Sequence, residues 1–179
     1  MELLKGADVQ RYRVLFYVLV GILFGVLDWY MPDLTMYIVP PTLLNHPIGM
    51  LLGLAWLWGV WLLPAIPIAL YEIRASQRVW AAALAVILTW LGALTGYYAY
   101  YMYLLAFVGL NQMEMFLWSA RRDPLFWQAW PSTFRTLMLY QWLEWSPVAV
   151  IGGAGVGGTI GWLYQKWQRQ HSIGQAHAT

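Results

Sequence analysis

Four long stretches of this chain carry almost no charge, and this pattern restricts its fold more than any other feature of the sequence. The stretches are residues 14–31, 47–71, 79–103 and 147–167. A helix of about 20 apolar residues crosses the hydrocarbon core of a bilayer, and inside lipid every backbone polar group must be satisfied within the protein. The pattern therefore predicts an all-α polytopic membrane protein, a bundle of four transmembrane helices.

The composition favours the same class of protein. Hydrophobic residues make up 61% of the 179 residues and charged residues 10%, whereas soluble domains carry about 25% charged residues. A soluble fold of this size would have too few charged residues to cover its surface. We expect one membrane domain over residues 1–170, followed by a polar C-terminal tail at 171–179.

The second stretch allows more than one interpretation, because the charge-free run extends from 34 to 71. Two short helices would fit in it, but Pro40, Pro41 and Pro47 argue against a helix in its first part, since consecutive prolines remove donors and clash with a preceding turn. We expect an outer loop over 34–46 and then one span. Pro64 and Pro67 predict a kink in that span, a simple bend rather than a hinge that lines a polar path.

The basic residues predict the orientation in the membrane. Seven of the ten Lys and Arg residues lie in segments that four crossings would place on the same side. Lys5, Arg11 and Arg13 come before the first stretch, Arg74 and Arg78 lie between the second and third, and Lys166 and Arg169 lie at the end of the fourth. Because Lys and Arg accumulate on the cytoplasmic side, we expect a multi-pass protein of the cell membrane with the N-terminus and the C-terminus in the cytoplasm. No small-residue cleavage site follows the first stretch, so we expect it to be retained as a helix.

The segment 111–145 is predicted to be an amphipathic extracytoplasmic connector between the third and fourth helices. It mixes charged residues with five tryptophans, which favours one or two helices lying on the outer membrane surface or folded over the bundle. It either seals the outer face or acts as a lid or docking surface. A fifth span from Phe134 is less favoured, because Arg135 and Glu144 bracket only eight uncharged residues.

Glycines four residues apart recur in all four stretches, and the longest series is Gly153, Gly157 and Gly161. Such spacing places small residues on one helix face, where another backbone can approach closely. The series predicts packing within the bundle or, alternatively, an interface with a second copy or another membrane subunit. Four helices with this spacing also predict a tight bundle without a wide pore.

Candidate ligand-binding residues are few: Asp28, Trp56, Trp90 and Glu114. Asp28 lies near the end of the first stretch, where an ionisable residue is a functional candidate, or else an interfacial carboxylate that reaches water. Trp56 and Trp90 lie at mid-membrane depth and either line an aromatic pocket for an apolar or cationic ligand or fill space against the glycines. Glu114 belongs to the connector.

Other classes of site find little support in the sequence. The chain has no cysteine, and the spacing of His46 and the outer carboxylates does not require a metal. No motif for nucleophilic catalysis or phosphate binding occurs, so we expect no cofactor and no enzyme activity. The net charge of +2 is too small to indicate nucleic acid as a partner.

Two functional hypotheses follow. The first is a small transport component that binds or translocates a solute in an aromatic pocket closed by the connector. The second is a non-catalytic accessory subunit of a larger membrane complex, in which the glycine face of the fourth helix and the aromatic connector are docking surfaces. We expect the lipid bilayer as a partner under either hypothesis, with other membrane subunits or a second copy as further candidates. The first predicts an internal cavity with Asp28 or tryptophans on its wall. The second predicts that these side chains are packed or face lipid and that the glycine face is exposed.

Overall fold

The computed structural model describes residues 2–38, 46–108 and 124–176, and within these residues it contains helices and short turns but no strand. The helices are α1 (Glu2–Asp28), α2 (Met31–Ile38), α3 (Pro47–Gly59), α4 (Leu62–Ser76), α5 (Val79–Tyr103), α6 (Pro124–Phe134) and α7 (Gln141–Ala176). A π-helical turn at Leu104–Val108 extends α5, and a second at Arg135–Tyr140 joins α6 to α7. The prediction of an all-helical fold is confirmed.

Three helical stretches are long and apolar enough to cross a membrane: Gln10–Asp28, Val79–Val108 and Trp130–His171. They correspond to the first, third and fourth predicted spans. The second predicted span, 47–71, is divided between α3, with 13 residues, and α4, with 15. Each of these helices alone is shorter than the roughly 20 residues that a crossing needs, so a fourth crossing remains a prediction.

The division between α3 and α4 falls at Val60 and Trp61, and Pro64 explains its position. In an uninterrupted helix the N–H of residue 64 would donate to the Val60 carbonyl, but proline has no N–H. The Leu63 N–H donates to that carbonyl instead, at 3.0 Å, and the Trp61 N–H reaches back to Trp58 at 3.3 Å. This tighter turn interrupts the helix between Gly59 and Leu62, within the span where the prolines predict a kink.

Helix α5 lies at the centre of the bundle, with α1 and α7 packed along it and α4 in contact with both α5 and α7. Paired glycines bring α1 and α5 together. A Cβ atom placed on Gly25 would lie 2.0 Å from the Ala93 carbonyl oxygen, and one on Gly96 would lie 2.3 Å from that of Ile22. These glycines are therefore required for a close approach of two backbones.

The glycine face of α7 lies against α5. Cβ atoms on Gly153, Gly157 and Gly161 would meet Ile87, Ala82 and Val79 of α5 at 3.1, 2.7 and 3.4 Å. The intervening Gly155 and Gly158 face open space. Within this structure the face is covered from inside the same chain, as the intramolecular hypothesis expects.

The ends of several elements differ from the sequence-based expectation. Helix α2 includes 34–38, which we expected to be loop, while 39–45 and the first part of the connector, 111–123, lie outside the described residues. The last helix does not begin at Pro147 but runs through it. The Ser146 hydroxyl donates to the Leu143 carbonyl at 3.0 Å, the group that Pro147 leaves without its usual donor. Helix α7 also continues through 171–176, where we expected a polar tail.

The bundle has two ends, which we name by their carboxylates. At the Glu72 end, α4 turns into α5 through Gln77, which has a left-handed backbone (φ 55°). There the Gln165 side chain of α7 donates to the Gln77 carbonyl at 2.8 Å, and the Arg74 guanidinium lies 5.6 Å from the centre of the Tyr164 ring. At the opposite Asp28 end, α1 terminates and α7 brings Trp142 to Thr95 of α5.

Candidate functional site

A cavity of about 400 Å³ opens at the Asp28 end, between α1, α2, α3, α5 and α7. This volume lies within the range of about 300–1,000 Å³ that is usual for pockets that bind small molecules. Helix α5 contributes one face of the cavity, since residues 90, 94, 97 and 98 follow the spacing of a single helix face. Helix α7 contributes Trp145, Val148 and Ala149 from the other side.

Six aromatic side chains line the cavity: Trp58, Trp61, Trp90, Tyr97, Tyr98 and Trp145. They form nearly perpendicular or tilted pairs. Trp61 meets Trp90 with centroids 5.7 Å apart and planes at 86°, and Tyr97 meets Tyr98 at 5.3 Å and 85°. Because neighbouring rings stand at steep angles, the wall presents both ring faces and ring edges to a ligand.

The helix break fixes the deepest part of this wall. The indole N–H of Trp90 donates to the Trp61 carbonyl at 3.1 Å, next to the interruption between α3 and α4. Trp90 is only 9% exposed, and its ring orientation is held by this bond. Since its polar N–H is already satisfied, Trp90 offers the cavity an apolar ring rather than a hydrogen-bond donor.

Asp28 ends α1 and contributes a half-buried carboxylate to the wall. Among the described residues it is the only charged side chain that lines the cavity, and it forms neither a hydrogen bond nor an ion pair with any of them. An ionised carboxylate that lies in an apolar wall without a counter-ion costs free energy, because it loses part of its hydration. This makes the environment of Asp28 favourable for a positively charged group.

The carboxylate at the other end of the bundle has a different environment. Glu72 is 7% exposed, accepts a hydrogen bond from the Tyr17 hydroxyl, and lies 3.7 Å from the Arg13 guanidinium. A buried carboxylate with two such partners is satisfied within the fold. Glu72 therefore ties α1 to α4, whereas Asp28 keeps its charge available to the cavity.

The structure brings together two of the four candidate ligand-binding residues. Asp28 and Trp90 both line the cavity, whereas Trp56 is 40% exposed on α3 and does not line it. Glu114 lies outside the described residues. Trp58 and Trp61 line the cavity as well and are not among the candidates selected from the sequence.

Tyr97, Tyr98 and Trp145 line the cavity but are not among the candidates selected from the sequence. For the two tyrosines a signal was present, because they lie two turns after Trp90 on the same face of α5. Trp145 had no comparable signal, since its place depends on how α7 packs against α3, where its ring meets that of Trp58 at 6.1 Å.

Within 2–38, 46–108 and 124–176, no three His, Asp or Glu side chains converge in a way that would hold a metal ion. The aromatic rings and the one carboxylate of the described wall can bind a ligand non-covalently. A comparison of the chain with protein-family models, with curated proteins and with solved structures returns no match.

Proposed function

We propose that this chain is a multi-pass membrane protein with both termini in the cytoplasm, and that it acts as a transport component that binds a small solute in the aromatic cavity. Three helical stretches of sufficient length and apolarity support the membrane location. The basic residues Arg13, Arg74 and Arg78 come from different segments and lie at the same Glu72 end. Under the rule that cytoplasmic segments are rich in Lys and Arg, that end faces the cytoplasm.

The observation that carries the proposal is the cavity beside Asp28. Its wall is built from α1, α2, α3, α5 and α7, so an internal solute would contact all three of the long apolar helical stretches. The Asp28 end then faces the extracytoplasmic side. A cavity that is open to one side of a tightly packed bundle suits capture of a solute rather than free passage through a pore.

Apolar side chains lie between the cavity and the Glu72 end. Phe24, Val60 and Ala93 form one buried cluster, one turn of α1 away from Asp28. Tyr17, Ile68 and Ala85 form the next cluster in the direction of Glu72. A solute bound beside Asp28 is therefore separated from the cytoplasmic side, and its release there would require these clusters to open.

The proposal is tested by retention of a small molecule during purification. The full chain is extracted in a mild non-ionic detergent, and native mass spectrometry, followed by denaturation, detects what it carries. Val148 and Val150 form a matched pair on α7, with exposed fractions of 43% and 41%, and only Val148 lines the cavity. We expect Val148→Trp to lose the bound molecule and Val150→Trp to retain it.

Three outcomes would count against the proposal. One is retention of the same molecule by wild type and Val148→Trp, and another is a wild-type protein that carries no small molecule. The third is a stoichiometric second membrane protein in the wild-type preparation, which would favour the accessory-subunit hypothesis. We prefer transport because one of the two docking surfaces of that hypothesis, the face of Gly153, Gly157 and Gly161, is covered by α5.

A further inference from the structure

We infer that the solute of the aromatic cavity is a monovalent organic cation, an amine or a quaternary ammonium compound whose charged nitrogen lies beside Asp28. This inference rests on the proposed function and adds the chemical class of the ligand. The structure supports it by three separate features of the wall: its charge, the arrangement of its rings, and the absence of other ligating groups among the described residues.

The charge of the wall is negative and uncompensated. Asp28 lines the cavity without a hydrogen bond or ion pair to any described residue, and no Lys or Arg side chain appears on the described wall. A cationic ligand would supply the missing counter-charge, and its attraction to the carboxylate is strengthened by the low-dielectric surroundings. An anionic ligand would meet repulsion from Asp28, and the described wall offers no basic side chain to offset it.

The rings around Asp28 suit a cation that holds its water weakly. A positive charge is attracted to the negative face of an aromatic ring when it lies within about 6 Å of the ring centre, and Trp gives the strongest attraction. The steep angles in the Trp61–Trp90 and Tyr97–Tyr98 pairs provide faces in more than one direction. Aromatic cages of this composition recognise alkylated ammonium groups.

A metal ion is a poor fit to the same wall. Calcium takes 6–8 oxygen ligands, and magnesium needs a nearly ideal octahedron of oxygens. The described wall offers one carboxylate together with tyrosine hydroxyls and apolar rings. The cavity of about 400 Å³ corresponds to roughly a dozen water volumes at about 30 Å³ each, which leaves room for a small organic ion.

The test compares two probes that differ in charge at nearly constant shape. Choline has a quaternary nitrogen where 3,3-dimethylbutan-1-ol has a carbon. Isothermal titration calorimetry measures the binding of each probe to the full chain. The detergent is a maltoside, because it has no ammonium group that could compete with choline. We expect choline to bind at least about tenfold more tightly than the neutral analogue, which is the ratio that one desolvated cation–π or ion-pair contact provides.

Matched variants locate the binding. Asp28→Asn should weaken choline binding by about tenfold or more and leave binding of the neutral analogue unchanged. Asp33 is an exposed carboxylate that does not line the cavity, so Asp33→Asn should change the affinity for neither probe. Trp58→Leu should weaken choline binding, and Trp56→Leu should not. Trp56 and Trp58 are both partly exposed on α3, so removal of either indole places similar demands on folding.

Several results would overturn the inference. Equal affinity for choline and its neutral analogue would show that charge is not recognised, and an unchanged choline affinity in Asp28→Asn would place the cation elsewhere. Failure of choline, tetramethylammonium and tetraethylammonium to bind the wild type would also overturn it. If the purified protein retained a neutral molecule that Val148→Trp lost, the proposed function would stand, and only the inference that the ligand is a cation would be wrong.

Discussion

Replacement of Gly25 by alanine tests the close contact between α1 and α5 on which the bundle depends. The added Cβ would lie 2.0 Å from the Ala93 carbonyl oxygen and 2.8 Å from both the Ala93 carbonyl carbon and the Tyr97 nitrogen. All three atoms belong to the backbone of α5, so no side chain can rotate to relieve the clash. The two helices must therefore move apart.

The size of this movement follows from the distances. An ordinary contact of about 3.4 Å requires a separation of roughly 1.4 Å at Gly25, and a gap of 0.5–1 Å already loses about a quarter to a half of the dispersion energy of a contact. Overpacking of this kind costs about 1–3 kcal/mol, while alanine in place of glycine within a helix gains up to about 1 kcal/mol. We expect a net loss of about 2 kcal/mol.

Gly155→Ala is the matched control, because a Cβ on Gly155 meets nothing within 4 Å. It should leave stability unchanged or raise it by up to about 1 kcal/mol. Gly21→Ala, whose Cβ would lie 2.1 Å from the Thr89 oxygen, should resemble Gly25→Ala. The double variant Gly21→Ala/Gly25→Ala should lose less than the sum of the single losses, because one separation of the helices relieves both clashes.

The assay is unfolding of the protein in mixed micelles by increasing mole fraction of sodium dodecyl sulfate, followed by circular dichroism and tryptophan fluorescence. The reasoning is refuted if Gly25→Ala unfolds at the same detergent fraction as Gly155→Ala, or if the losses of Gly21→Ala and Gly25→Ala add fully in the double variant. Either result would mean that α1 and α5 do not approach as closely as the glycines indicate.

Two further predictions concern the Glu72 end. Tyr17→Phe should lower the free energy of unfolding by about 1.5–3 kcal/mol, because a hydrogen bond to a buried carboxylate is lost. Tyr71→Phe, at a half-exposed neighbouring ring, should change the free energy of unfolding little. Equal effects of the two variants in the same detergent assay would contradict the assigned role of Glu72. Reporter proteins that are active only in the cytoplasm should be active when fused to either end of the chain, and activity at only one end would refute the even number of crossings.

The long apolar stretches made much of the fold predictable. Helix α5 begins and ends at residues 79 and 103, as expected, because Arg78 marks its start and apolar residues fill every turn. The glycine spacings also anticipated which faces meet, since Gly21 and Gly25 face α5 and Gly153 and Gly157 face it from the other side. Helix length and small-residue periodicity are local properties, and a sequence displays them directly.

The ends of the helices were less predictable because they depend on individual hydrogen bonds. Pro147 was expected to start the last helix, yet the Ser146 hydroxyl occupies the Leu143 carbonyl and the helix continues through the proline. Pro64 had the opposite outcome, and the helix there is interrupted. Proline therefore interrupts one helix and lies inside another. The outcome depends on which donor bonds to the carbonyl that proline leaves without its usual N–H partner.

The candidate site was predictable in kind but only partly in its residues. Asp28 and Trp90 were selected because an intramembrane carboxylate and mid-depth tryptophans are unusual, and both line the cavity. Trp56 was preferred to Trp58, but the direction in which α3 presents its side chains depends on the break at Val60. Residues from a distant part of the chain, such as Trp145, join the site only through tertiary packing.

The last helical stretch is longer than a membrane crossing requires. Trp130–His171 comprises 42 residues, and at about 1.5 Å per residue it measures about 60 Å, twice the hydrocarbon thickness of about 30 Å. Even with a tilt, several turns must stand in the headgroup layers or in water. Because α7 bears both Trp145 at the cavity and Gln165 at the α4–α5 turn, one helix connects the two ends of the bundle, and a shift of either end along the helix axis would move the other.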